Sequence, residues 1–187
     1  KNTEAKSEYA NGLDEIVPNM VNPRFVDFGK DVIIEDIRDN LHFYYVENPI
    51  NTIFSMRLEF GKGTIENPAL AQSSQYLAYL GTKDKTFDQF KEALQKIGSK
   101  IEVYSNSNYF GYSISGFDNY LSETLELLDE YMNHMHVRNE DRGKISKLIE
   151  SSKITRDREK KDPSAAGRAL KDYVLWGKKS PYLRRST

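Results

Sequence analysis

The sequence predicts an α+β protein in which an antiparallel sheet is covered mainly on one face by helices. Three observations carry that expectation. A period-two run over residues 52–60 sets Ile53, Ser55, Arg57 and Glu59 against Phe54, Met56, Leu58 and Phe60, the pattern of a sheet with one buried and one wetter face. Runs of helical period follow directly and supply a cover for the buried face. The segment order is three strands, two helices, two strands and then helices, unlike the strict strand–helix alternation of a doubly wound fold.

Each element has its own local reason. Residues 1–24 are polar, contain Gly12, Pro18 and Pro23, and hold no sustained period; they read as a linker or extended lead-in to a single domain over residues 25–187. Residues 31–37, 41–47 and 52–60 read as three antiparallel strands, separated by the turn-like Arg38-Asp39-Asn40 and Asn48-Pro49-Ile50-Asn51. A helix over residues 68–80 carries Leu70, Leu77 and Leu80 beside small Ala71, Ser74 and Ala78, with Gly81 as its stop. Thr86 and Gln89 have the spacing of a capping box, and Phe87, Phe90, Leu94 and Ile97 form one apolar face before Gly98. Residues 100–105 and 109–115 form a hairpin across Asn106-Ser107-Asn108, sharing one sheet with residues 31–60. Helices then run from about Asn119, over 141–160 and over 164–176.

Composition removes several function classes. Among 187 residues there is no cysteine, which excludes a thiol nucleophile, a disulfide framework and a thiolate metal site. No run approaches the roughly 18 apolar residues of a spanning helix, and the polar N-terminus does not read as a signal peptide. The start at Lys1 instead of methionine suggests a processed or excised piece. The net charge of -1 hides a division: residues 1–137 hold 12 basic and 21 acidic side chains, and residues 138–187 hold 15 and 7. In the basic part Arg156, Arg158, Lys160 and Lys161 alternate with Asp157, Glu159 and Asp162, the signature of a solvated helical face and not of a nucleic-acid patch.

No catalytic constellation emerges from the residues themselves. His42 reads as a strand residue, while His134 and His136 stand two apart near a helix end, where they point in different directions and favour the C-terminal dipole. Gly61-Lys62-Gly63-Thr64 lacks the remaining spacing of a Walker loop and reads as a strand-to-helix turn. No Gly-x-Ser-x-Gly elbow is present.

Gly61-Lys62-Gly63, the stretch Leu70-Ala71-Gln72-Ser73-Ser74-Gln75-Tyr76-Leu77-Ala78-Tyr79-Leu80-Gly81-Thr82, then Phe87, Phe90, Leu94, Gly98 and the hairpin together resemble the insulinase/pitrilysin (inverzincin) metallopeptidases over about residues 25–185. The resemblance implies a mitochondrial-processing-peptidase-like unit. In that family a helix bears His-x-x-Glu-His, whose imidazoles clamp zinc while the glutamate takes a proton from zinc-bound water. Aligned on Leu80-Gly81-Thr82, those three positions fall on Gln72, Gln75 and Tyr76, and the family's third ligand falls on Glu150. Gln75 cannot accept the proton, and neither Gln72 nor Tyr76 is an ordinary zinc ligand.

The resemblance therefore implies a degenerate unit with no catalytic residue, no metal and no cofactor of its own. Residues 23–31 and 81–84 look similar to the unit that opens the second half of long bacterial members, and residues 176–182 to the place where the next unit begins. On this reading the chain is a non-catalytic domain that helps form a peptide-holding chamber. Zinc is expected in a partner domain of the parent protein, and the expected partners are other insulinase-like domains and a polypeptide substrate, without nucleic acid or membrane insertion. A bacterial periplasm or cell envelope is what the resemblance suggests. The rival expectation is a structural or assembly protein related to inactive core subunits of processing or respiratory complexes.

Overall fold

The computed structural model describes residues 6–17, 22–23 and 25–185. It divides into two compact units, residues 1–47 and 48–187. Of the expected 1–24 lead-in, residues 1–5, 18–21 and 24 lie outside the described residues, and so does Arg24 of the family-like stretch.

In the first unit a two-turn helix α1 (Glu8–Asp14) forms within the lead-in, where the Ser7 hydroxyl accepts from the Ala10 N–H at 3.2 Å. It is followed by the hairpin β1 (Ile33–Arg38) and β2 (Leu41–Tyr45), paired from Ile33↔Tyr45 with an irregularity between Asp36 and Arg38. Asn40 turns the hairpin at φ 63°, a left-handed conformation that asparagine tolerates better than most residues. His42 is a strand residue and pairs through Nδ1 with Asp36.

The second unit holds the main sheet. Its first strand, β3 (Ile53–Phe60), is followed by α2 (Leu70–Leu77), the short β4 (Gly81–Thr82) and α3 (Phe87–Lys96). Then come β5 (Lys100–Ser105), β6 (Phe110–Phe117), α4 (Leu121–His134), the short β7 (Met135–His136), α5 (Asn139–Glu159) and α6 (Pro163–Trp176). The sheet order is β3–β6–β5, antiparallel throughout, with Met56↔Ile114↔Ile101 and Leu58↔Tyr112↔Val103 in register. These residues share the inner face, and Phe90, Leu94, Leu128 and Tyr131 of α3 and α4 pack on them. The other face carries Ser55, Arg57, Ser113, Ser115, Lys100 and Glu102, as the alternation requires.

Two expectations need correction. Residues 31–60 do not form a three-stranded meander, nor do they share one sheet with the 100–115 hairpin: β1 and β2 pair with each other, and β3 pairs with β6. The Asn48–Asn51 segment is a self-contained turn ahead of β3, in which the Asn48 side chain binds both Asn51 Oδ1 and the Ile53 carbonyl. Gly81 is also not a helix stop. α2 ends at Leu77, and Gly81–Thr82 pairs antiparallel with Met135–His136. A Cβ on Gly81 would lie 2.4 Å from the Lys85 carbonyl oxygen, so only glycine fits that approach.

The other local signals resolve as the residues suggest. Thr86 and Gln89 form both halves of a capping box, at 3.2 and 2.9 Å. Gly98 takes φ 63° after α3. The Gly61–Thr64 turn rests on the hairpin tip, with Thr64 N–H donating to the Asn106 carbonyl at 2.8 Å and Ile65 N–H to that of Ser107 at 3.2 Å.

Candidate functional site

The helix that would carry a zinc motif is held firmly from behind. Asn67 Oδ1 accepts the Ala69 N–H at 3.2 Å ahead of α2, buried Ser74 meets the Ser105 hydroxyl at 3.0 Å, and the Tyr131 phenol donates to the Leu77 carbonyl. Burial pushes the Tyr131 phenol well above its ordinary range, assisted by neighbouring Tyr112, so it remains a donor at any physiological pH. These contacts fix the back of α2 against β5 and α4 and leave Gln72 and Tyr76 on another side.

Gln72 and Tyr76, one helical turn apart, line a cleft of about 280 Å³ together with Ala69 and Ser73 of the same segment. Its opposite wall is α5, through Ile149, Ser152, Lys153 and Arg156. Gln75 is exposed and instead borders a groove with Ser74, Ala78, Tyr79, Val103 and Leu148. Glu150 is exposed and is not among the residues that line the cleft. The structure thus brings together two of the three α2 positions and leaves Gln75 and Glu150 outside. Arg156, expected on a solvated helical face, is instead half-buried in the cleft wall, and Lys153 was not singled out, although Ile149, Ser152, Lys153 and Arg156 follow the i, i+3, i+4, i+7 spacing of one helix face.

This donor set does not suit a zinc ion. The cleft offers one primary amide, from Gln72, and the Tyr76 phenol in place of imidazole and carboxylate ligands; no carboxylate lines it, and two cationic side chains face it. Among the described residues no three His, Asp or Glu side chains are grouped to hold a metal. His134 ends α4 and His136 lies in β7.

The charged groups beside β4 are built for structure. Thr82 and Lys85 bond the two oxygens of Glu130, each at 2.5 Å, and Arg138 donates to the Thr82 and Lys83 carbonyls at 3.1 and 2.6 Å. Desolvation alone would raise the Glu130 carboxyl, but the bonds from Lys85 and Thr82 and the Lys85 charge outweigh it and hold the group below its usual range. This network ties β4 to α4 and to the start of α5.

On the far face of the sheet the Tyr104 phenol donates to Glu59 at 2.5 Å. Burial, that bond and the Glu59 charge push it up to about 12. It serves as a cross-sheet tie.

A peptidase M16 inactive domain from Pseudomonas fluorescens superposes on this chain with a TM-score of 0.69 at 16% identity, over 83% of this chain and 38% of that one. The fold is M16-like. A protease from Helicobacter pylori matches with a TM-score of 0.52 at 13% identity, over 65% of this chain and 30% of that one. The chain therefore spans well under half the length of either neighbour. No family model and no curated protein matches the sequence. M16 is the insulinase/pitrilysin group, so the M16-like fold agrees with the architecture that the sequence resemblance implied.

Proposed function

We propose that this chain is a non-catalytic domain of an insulinase-like zinc metallopeptidase, contributing a wall of a peptide-holding chamber and contacts to partner domains. The observation that carries the reading is the joint one at α2: an M16-like fold in which the positions aligned with the zinc motif are Gln72, Gln75 and Tyr76, with Gln72 and Tyr76 facing Lys153 and Arg156 across a cleft. Without imidazole and carboxylate, α2 neither fixes a metal nor deprotonates a water. The domain's role is then to hold polypeptide, and β3, outermost in the order β3–β6–β5 among the described residues, offers main-chain hydrogen bonds for strand addition. Zinc and hydrolysis belong to a partner domain of the parent protein.

The test combines metal analysis, a cleavage assay and a binding assay on the purified chain with an unstructured polypeptide. The expected result is polypeptide binding with no cleavage and no stoichiometric zinc after dialysis. Cleavage, about one tightly held zinc per chain, or no detectable polypeptide binding would overturn the reading.

A further inference from the structure

We propose that the cleft between α2 and α5 is a carboxylate-binding site, taking the C-terminal carboxylate of a polypeptide or an acidic side chain. This rests on the peptide-holding reading for its ligand, but its geometry is independent of it. Lys153 and Arg156 stand one turn apart on the face of α5 that lines the cleft. Neither side chain has an ion pair or hydrogen bond among the described residues, and no carboxylate lines the cleft. Some bases of the same region find acids, as Lys144 does with Asp88 and Arg185 with Glu159, and others such as Lys147 and Arg158 find none among the described residues; Lys153 and Arg156 differ from these in lining a cleft together.

Arg156 is half-buried. Its partial burial against the cleft holds the side chain beside the lining, so that an incoming anion would meet a positioned guanidinium. Its planar fork matches a carboxylate in bidentate fashion, and Lys153 adds a second positive charge.

The rest of the lining completes such a site. The Gln72 amide, the Tyr76 phenol and the hydroxyls of Ser73 and Ser152 supply neutral donors, and none of these side chains has a hydrogen-bond partner among the described residues. Ala69 and Ile149 provide an apolar wall beside them, as a site for a chain terminus needs in order to receive the last side chain together with its carboxylate. The substitutions that spoil α2 for a cation suit it for an anion: amide and phenol donate to a carboxylate oxygen, where imidazole and glutamate would hold a metal.

The experiment is an NMR titration of the whole chain. The probes are an acetylated Gly-Ala-Leu peptide with a free C-terminus, the same peptide amidated, an amidated peptide with an internal aspartate, and succinate. The free-acid peptide should shift resonances of Gln72, Tyr76, Lys153 and Arg156, and the amidated one should not. Arg156→Gln and Lys153→Gln should each weaken binding by about tenfold, while Arg158→Gln, an equal loss of charge on an exposed residue that does not line the cleft, should leave it unchanged. Binding of the aspartate peptide would assign the acidic side chain as a source; its failure would leave the chain terminus.

Equal binding of the acid and amide peptides, or equal effects of Arg156→Gln and Arg158→Gln, would overturn the site. Peptide bound elsewhere and insensitive to Arg156→Gln refutes the cleft alone. Succinate bound at the cleft with no peptide bound anywhere keeps the carboxylate site and refutes the peptide-holding reading. The exposed position of Lys153 keeps the test open should Arg156→Gln impair folding.

Discussion

Phe90, Leu94, Tyr112, Ile114, Leu128 and Tyr131 each leave 6% or less of their surface to solvent, whereas α5 and α6 together bury only Asp141 and Ala165. The first group belongs to the layer of β3, β6, β5, α3 and α4. The second lies in the basic region, where even apolar Ile154, Leu170 and Val174 are exposed. Stability and charge are thus carried by different parts of the same unit. A helix relieved of core packing can keep unpaired cations at positions such as 153 and 156, which a buried helix could not. The cleft lies where the two parts meet, so one wall is held by the core and the other is set by charge.

Substitutions can break this contrast. The largest effect is expected for Leu94→Ala, which should cost about 2–5 kcal/mol by chemical denaturation, because truncation leaves a cavity among Phe90, Leu128 and the sheet. A loss below about 1 kcal/mol would remove Leu94 from the core. Next comes Gly111→Ala. A Cβ there would sit 2.2 Å from the Leu58 carbonyl oxygen, so the strand must move, at about 1–3 kcal/mol in the same assay.

Lys85→Met tests the polar tie between β4 and α4, with an expected loss of about 1 kcal/mol or less at neutral pH, since both partners keep some solvent. Its pH signature is more telling. The folded Glu130 carboxyl lies below its unfolded value. Its contribution is therefore complete above the ordinary carboxylate range and is lost as pH falls through the lowered folded value. Lys85→Met should flatten the acid-side fall in the denaturation midpoint; an unchanged acid slope would mean that the pair contributes nothing. The smallest effect is expected on α5: Ile154→Gln, at a position 48% exposed, should stay within about 0.5 kcal/mol. A loss of core size there would erase the contrast between the two regions.

What the sequence made legible follows the same division. The alternation of residues 53–60, the apolar face of Phe90 and Leu94 and the Asn106 turn each announce an element through its own local chemistry. The neighbour of β3 was not legible, because a period of two says which face of a strand is buried and nothing about which strand lies beside it. At the cleft, the spacing of Gln72 and Tyr76 placed both on one side of α2. Lys153 passed unnoticed and Arg156 read as merely solvated because α5 carries charge on every side, and no apolar stripe marked the face turned toward α2.

The strand order has a kinetic consequence. β5 and β6 are joined by the four residues 106–109, whereas β3 reaches β6 only after about fifty residues have been looped out. The difference in loop-closure entropy amounts to about 2 kcal/mol, enough to let the hairpin close first and leave β3 to dock late. Perturbing the Asn106 turn should then slow refolding, while perturbing the Gly61–Thr64 turn that follows β3 should chiefly hasten unfolding. Until β3 arrives, one long edge of β6 is open to pairing with another molecule, and the interval before docking is when this chain is most exposed to aggregation.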